Sequence, residues 1–290
     1  MLADEWEFHL RAKNLSASTI RSYREAARIL DEFLVAQGIT DVADISQRDI
    51  EKFVISQQET VSPGSVLTRF RGLRVFFNWI VNDAEELERS PMAKMREPKG
   101  EQKPPDVPSD DDMRRLLRSL SGKSFEDRRD LALLRFMIDT GCRISEAIGL
   151  RVADVDTKAG VAMVHGKGRK SRVAPFGAKT SAALLAYQRE RRRHKYAALE
   201  ELFIGQRGPL TYMATYKIIR ARAEAVGFRL HPHQTRHFFA HTWLRDGGTE
   251  GDLRAIGGWE SNTVMRRYGA SAAAERAREA HKRLSPGDRL

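Results

Sequence analysis

Apolar residues recur at three- and four-residue intervals along most of the chain, the spacing that lines one face of an α-helix. In the first third, Ile20, Tyr23, Ala27, Leu30 and Leu34 make such a stripe. Ser16 or Ser18 stands where its N-cap belongs, and Gly38 where it would stop. Ser46 with Asp49 has the form of a capping box ahead of Ile50, Phe53 and Val54. Ser62-Pro63 reads as a cap followed by proline in the first turn, opening a helix through Val66, Phe70, Leu73, Phe76, Phe77 and Ile80. Further on, Ser109 precedes an acidic helix start with Met113, Leu116, Leu117 and Leu120 behind it, and a helix from about Phe125 to Thr140 ends at Gly141. The pattern changes period once. Val161–Val164 and Arg172–Pro175 flank His165-Gly166-Lys167-Gly168-Arg169-Lys170-Ser171, two β-prone runs around a Gly-containing turn, as in a hairpin. Leu184–Arg193, Thr211–Val226, Pro232–Arg245, Glu250–Ile256, Ser261–Tyr268 and Ala272–Leu284 return to helical spacing. The fold expected is mainly α with a small antiparallel β-element.

Five of the ten prolines fall at Pro91, Pro98, Pro104, Pro105 and Pro108, in a stretch without apolar periodicity. This divides the 290 residues into a helical domain over 1–96, a linker over 97–108 and a second domain over 109–290. The formal charge is +11, and it is unevenly placed. Residues 1–98 carry 13 Lys/Arg against 16 Asp/Glu, whereas residues 99–290 carry 37 against 23. A polyanion is therefore the first partner to expect, and the second domain is where it would bind. No apolar run approaches the ~18–20 residues of a membrane span, and the acidic N-terminus lacks a signal-like apolar core, so a cytoplasmic protein without a membrane partner is expected. The single cysteine, Cys142, excludes an internal disulfide and a Cys-based zinc cluster.

The second domain holds an ordered set of cationic, imidazole and aromatic residues: Arg143, Lys167, His233, Arg236, Trp259 and Tyr268. Each alone is an ordinary residue of a basic protein. Together they suit phosphoryl transfer. Two arginines can clamp the non-bridging oxygens of a phosphodiester as charge builds on them, and such a contact can be worth about 10³–10⁵ in rate. A tyrosine hydroxyl needs help to attack at neutral pH; a neighbouring histidine can take its proton, and a lysine on a hairpin can protonate the leaving oxygen. No metal or other cofactor is required, because the cationic side chains supply the electrostatics. His233, His237 and His241 lie four apart on one helical stripe, which could suit zinc, but no His-Glu-x-x-His occurs and Arg236 would sit beside the ion, so no metal site is assigned.

These residues resemble the tyrosine recombinase (phage integrase) family. Thr140-Gly141-Cys142-Arg143-Ile144-Ser145-Glu146, the Gly-Lys-Gly hairpin at Lys167, His233-Gln234-Thr235-Arg236, Trp259 and Tyr268 stand in the family's order, at spacings of 24, 66, 3, 23 and 9. Leu15–Tyr23 and Ser65–Trp79 resemble the first and last helices of the family's core-DNA-binding domain. The resemblance implies an N-terminal helical, SAM-like core-binding domain followed by an α+β catalytic domain. It implies that Tyr268 attacks DNA to form a 3′-phosphotyrosine, with Arg143, Lys167, His233, Arg236 and Trp259 completing the site. Glu146 is then expected to brace the arginine or histidine without touching substrate. Arg69, Arg71 and Arg74 in the first domain, and Arg169, Lys170 and Arg172 on the hairpin, are candidate DNA contacts. The implied partners are double-stranded DNA at specific core sites, further copies of the chain in a tetramer joined through the helix over 272–284, and a directionality factor.

Two features depart from the commoner family pattern. Trp259 stands where histidine is usual, preceded by Gly257-Gly258 in place of Leu-Gly; tryptophan keeps one N–H donor but cannot titrate. Only about 15 residues precede the first core-type helix, so an arm-site-binding domain is not expected. Integration and excision of phage DNA in a bacterial host is the favoured role, with Xer-like resolution of chromosome or plasmid dimers as the alternative. A type IB topoisomerase and a non-catalytic DNA-binding protein are the more distant readings.

Overall fold

The computed structural model describes residues 2–98, 106–166 and 171–259, together with 273, 277–278, 281–282, 284–285 and 287–289. The chain forms two compact units, Met1–Lys103 and Pro104–Leu290.

The first unit is helical: α1 (Leu2–Ala12), α2 (Ala17–Val35), α3 (Gln47–Thr60) and α4 (Pro63–Asn82). Local sequence sets the starts. The hydroxyls of Ser16, Ser46 and Ser62 accept from the backbone N–H groups of Thr19, Asp49 and Ser65, and the Asp49 carboxylate returns a bond to the Ser46 N–H. Gly38 takes φ +81° just beyond α2, the left-handed geometry that ends the chain's helical path. α1 is an addition to the expected helices. Its signal is the four-residue spacing of Leu2, Trp6 and Leu10, of which Trp6 and Leu10 are fully buried. Both join Leu30, Ile50, Phe53, Phe70, Leu73, Phe77 and Ile80 in one core. Gly72 lets α4 lie close on α2, because a Cβ there would stand 3.1 Å from the Tyr23 ring and 3.4 Å from Ala26.

In the second unit, α5 (Asp110–Ser119), α6 (Phe125–Thr140) and α7 (Ile144–Ile148) lead into a three-stranded antiparallel sheet. Its strands are β1 (Val155–Asp156), β2 (Val161–His165) and β3 (Ser171–Pro175) in that order, with Met163 opposite Val173 and His165 opposite Ser171. α8 (Ala178–Arg191), the short pair β4 (Ile204–Gly205) and β5 (Gly208–Pro209), α9 (Tyr212–Glu224), α10 (Pro232–Arg245) and α11 (Glu250–Gly257) follow. α6 is the central element: Ala132, Leu133, Leu134, Phe136 and Met137 are all fully buried. Mainly helical units with small antiparallel sheets match the expected class. β1, β4 and β5 are too short to register as periodic runs.

Two tertiary interactions set boundaries that local sequence hides. α8 begins at Ala178, six residues before the apolar pattern suggests, because Asp139 on α6 accepts from the Gly177 N–H at 2.7 Å and the Thr180 hydroxyl at 2.8 Å. Beyond α8, buried Arg191 donates to the carbonyls of Ala197, Leu199, Glu201 and Leu202, at 2.6–3.0 Å. One guanidinium thus organises a segment that has no strand or helix of its own. The helix expected over Ser261–Tyr268 lies outside the described residues, as does most of 272–284. Among the described residues, no helix is long and apolar enough to cross a membrane.

Candidate active site

α6 ends at Gly141, whose φ of +59° turns the chain sharply. A side chain here would also collide with Phe239, whose Cδ1 lies 2.2 Å from the position of a Cβ. The turn leaves Arg143 as N-cap of α7, with 47% of its side chain exposed. Glu146, three residues on, fixes it twice. Its carboxylate accepts from the Arg143 backbone N–H at 2.8 Å and from Nη1 at 2.8 Å.

The same carboxylate, only 4% exposed, also takes both terminal nitrogens of Arg172 on β3, at 3.1 and 2.8 Å. Burial on its own would raise the Glu146 pKa. Hydrogen bonds from Arg172 and from the Arg143 backbone and side chain outweigh that and hold it below the usual carboxylate range. Arg172 therefore corrects the sequence-based expectation. It is not a solvent-facing cation on the hairpin: its side chain is 14% exposed, and its Nε donates to the Ile256 carbonyl at 2.7 Å. The alternation of β3 turns it inward, where a buried carboxylate and a helix-end carbonyl engage all three of its nitrogens.

Arg236, on α10, is 2% exposed. Its Nη1 donates to the carbonyls of Gly141 and Gly257, at 2.6 and 2.7 Å, tying the Arg143 turn to the end of α11. Its Cζ lies 3.6 Å from the centroid of the Trp259 ring, and Trp259 stacks on Phe239 with planes 2° apart. The Gly257-Gly258 pair has a packing cause. A Cβ on Gly257 would fall 1.8 Å from Trp259 Cζ3; Gly258 has φ +66°, and a Cβ there would fall 3.0 Å from Arg172 Nη1. So the indole, the left-handed helix end and the two arginines fit together only with glycine at both positions.

His233 stands exposed on the first turn of α10. Local desolvation, then the charges of Arg236 and Arg143, push its pKa below the ordinary imidazole value, which keeps the ring neutral and able to accept a proton. His237 meets it edge to face at 4.5 Å; desolvation, with His233 and Arg236, lowers its pKa to about 4. Gln234, between the catalytic candidates, accepts from the His231 N–H at 2.7 Å and donates to the Asp106 carboxylate at 3.0 Å. Sequence reasoning passed over Gln234, since nothing local marks a contact 128 residues distant.

Arg143, Glu146, His233, Arg236 and Trp259 are thus brought onto three adjoining elements. Lys167, Arg169, Lys170 and Tyr268 lie outside the described residues. His165 and Ser171, hydrogen-bonded at 2.8 Å, close the described end of the hairpin that carries Lys167. In the first unit, Arg69 bonds to Gln57, Arg71 pairs with Glu97 at 2.8 Å, and Arg74 donates to the Met95 carbonyl and covers the Phe70 ring. Among the described residues, no three His, Cys, Asp or Glu side chains cluster as a metal site.

Comparison with known proteins agrees with this arrangement. The phage integrase family pattern matches residues 109–275, and that of the phage integrase N-terminal SAM-like domain matches residues 2–86. Tyrosine recombinase XerC of Oceanobacillus iheyensis is 29% identical over 282 residues, covering 94% of this chain and 92% of that protein. Tyrosine recombinase XerD of Listeria monocytogenes serotype 4b is 31% identical over 265 residues, covering 88% of each. Among solved structures, XerH bound to a palindromic difH substrate in a post-cleavage complex gives a TM-score of 0.77 at 20% identity, covering 96% of this chain and 82% of that one. A lambda integrase dimer on a core site gives 0.72 at 15% identity, covering 91% and 95%. The family match defines a DNA-cleaving and rejoining enzyme. The chain belongs to the phage integrase family, the site-specific tyrosine recombinases.

Proposed function

We propose that this recombinase has an Xer-like role, resolving dimers of a chromosome or plasmid at a specific site. What carries the reading is the pair of relatives called XerC and XerD, which align along nearly the whole chain. Phage integration and excision is the role favoured on sequence, where Trp259 and the glycines before it depart from the commoner family pattern. The glycines now have a packing reason that is neutral between the two roles, and the relatives favour the Xer-like one.

In the proposed reaction, Tyr268 attacks the scissile phosphorus and its proton passes to neutral His233. The bond to the 5′-oxygen breaks as Lys167 protonates that oxygen, leaving a 3′-phosphotyrosine and a 5′-hydroxyl. Arg143, the open member of the pair, and Arg236, the buried one, neutralise the non-bridging oxygens. Trp259 holds Arg236 by its ring face. A 5′-hydroxyl from the partner duplex then reverses the step, and the ester conserves the bond energy, so the cycle needs no cofactor. Copies of the chain assemble on double-stranded DNA in the cytoplasm, joined through the segment over 272–284. Arg69, Arg71, Arg74, Arg169 and Lys170 are the proposed contacts to its phosphates. On the integration reading, a directionality factor would join them.

Sequencing the DNA ends covalently trapped by the protein in its host tests the role. The Xer-like reading expects one chromosomal or plasmid site, and accumulated dimers in a strain lacking the gene. Trapped ends confined to the termini of a mobile element, with no dimers, would establish integration instead.

A further inference from the structure

Arg172, on β3, takes no part in the proposed chemistry, yet all three of its guanidinium nitrogens are engaged. Its fork spans two elements at once. Both Nη atoms engage Glu146, and Nε engages the Ile256 carbonyl near the end of α11. Glu146 in turn holds Arg143 by backbone and side chain. The residue after Ile256, Gly257, gives its carbonyl to Arg236, and Gly258 packs directly on the Arg172 guanidinium. The end of a helix leaves carbonyls without intrahelical partners. Here two successive ones are taken by two different arginines, one from the sheet and one from α10. Trp259 follows at once, and Tyr268 is nine residues beyond it.

We infer that Arg172 is a positioning residue of the recombination reaction: through Glu146 it fixes the Arg143 guanidinium, and through Ile256 it fixes the helix end from which Trp259 and the nucleophile segment depart. It touches no substrate. Its geometry demands arginine, because a lysine offers one ammonium point and cannot fill a carboxylate and a carbonyl on separate elements. The inference rests on the assignment of Arg143 as a phosphate clamp.

The test uses the full-length protein and a nicked duplex carrying its site, on which cleavage is irreversible. Arg172→Ala should bind this DNA within about threefold of wild type yet cleave about 10²-fold more slowly, the usual consequence of a small misplacement of a catalytic group. Arg172→Lys should recover little of that loss; full recovery would show that charge alone suffices and would overturn the inference. It also decides the matter should Arg172→Ala fail to fold. In the Arg172→Ala/Glu146→Ala pair the losses should combine to less than the product of the two single losses, because the Arg172–Glu146 contact is shared; fully multiplicative losses would break the route through Glu146. A substrate with a methyl group replacing one non-bridging oxygen supplies a readout that general destabilisation would not move. With less charge to neutralise, the gap between wild type and Arg172→Ala should shrink below about tenfold. An unchanged gap would mean that Arg172 does not act through Arg143. Arg143→Ala separates the two levels: if it cleaves normally, the clamp assignment fails, whereas a fully active Arg172→Ala beside an inactive Arg143→Ala overturns this inference alone.

Discussion

Arg236 and Trp259 form a closed face-to-cation pair, with the guanidinium carbon 3.6 Å from the ring centroid and both side chains almost wholly buried. A residue that cannot titrate thus holds one that cannot lose its charge, and the pair is indifferent to pH. Its contribution is placement. Trp259→Phe should retain most cleavage, because a ring face remains under Arg236. Trp259→Ala should lose about 10–100-fold in single-turnover cleavage and about 3–5 kcal/mol in urea unfolding. Equal activity of the two variants would refute the placement role.

Gly257→Ala puts a methyl group where the indole now lies, 1.8 Å from Cζ3. Either Trp259 swings out or the end of α11 shifts. The expected cost is about 1–3 kcal/mol, together with a red shift in tryptophan emission as the indole meets water. An unshifted spectrum with wild-type stability would show that the corner tolerates a side chain.

Tyr268→Phe should abolish the covalent protein–DNA adduct seen on a denaturing gel, while leaving DNA affinity intact. The adduct of the wild-type protein should be attached through the 3′ end. Adduct formation by Tyr268→Phe at the wild-type level would move the nucleophile elsewhere.

Two of the three imidazoles of α10, those of His233 and His237, predict an acid-sensitive stability. His237 has a folded pKa of about 4 against 6.5 for the free group. Because the folded value is depressed, the unfolded chain binds the proton first. Stability is complete above pH 6.5, declines as the pH falls toward 4, and then levels off. His233 shifts in the same direction. Glu146 adds a second decline at lower pH, as its depressed carboxylate is finally protonated. Urea midpoints measured between about pH 7 and 4 should fall, and His237→Gln should flatten the upper part of the curve. A wild-type curve that is flat from 7 to 5 would contradict the depressed values. Cleavage should persist below pH 6.5, since His233 remains a neutral acceptor there; loss of activity at or above 6.5 would argue for an unshifted ring.

Much of this protein was legible because its helices announce themselves locally. Ser16, Ser46, Ser62 and Ser109 each cap the helix that follows, and a cap needs only three or four residues to be recognised. The order of Arg143, His233, Arg236 and Trp259 was equally readable. What escaped was interaction between distant segments. The early start of α8 depends on Asp139, from another helix. The inward turn of Arg172 depends on a carboxylate 26 positions away, and a basic run in sequence gives no sign of which member is buried. The two glycines before Trp259 looked like a family oddity until the indole was seen to occupy the space.

Surface segments usually tolerate changes of length, since loop closure costs little per added residue. The stretch after α8 is different in kind. Its carbonyls at 197, 199, 201 and 202 are read by the rigid fork of Arg191, as teeth are read by a key. One residue inserted after Tyr196 would put Leu199, Glu201 and Leu202 out of step with that fork, and a lowered urea midpoint would record it. A tag or reporter domain placed here would unfold what the same insertion in another loop would spare.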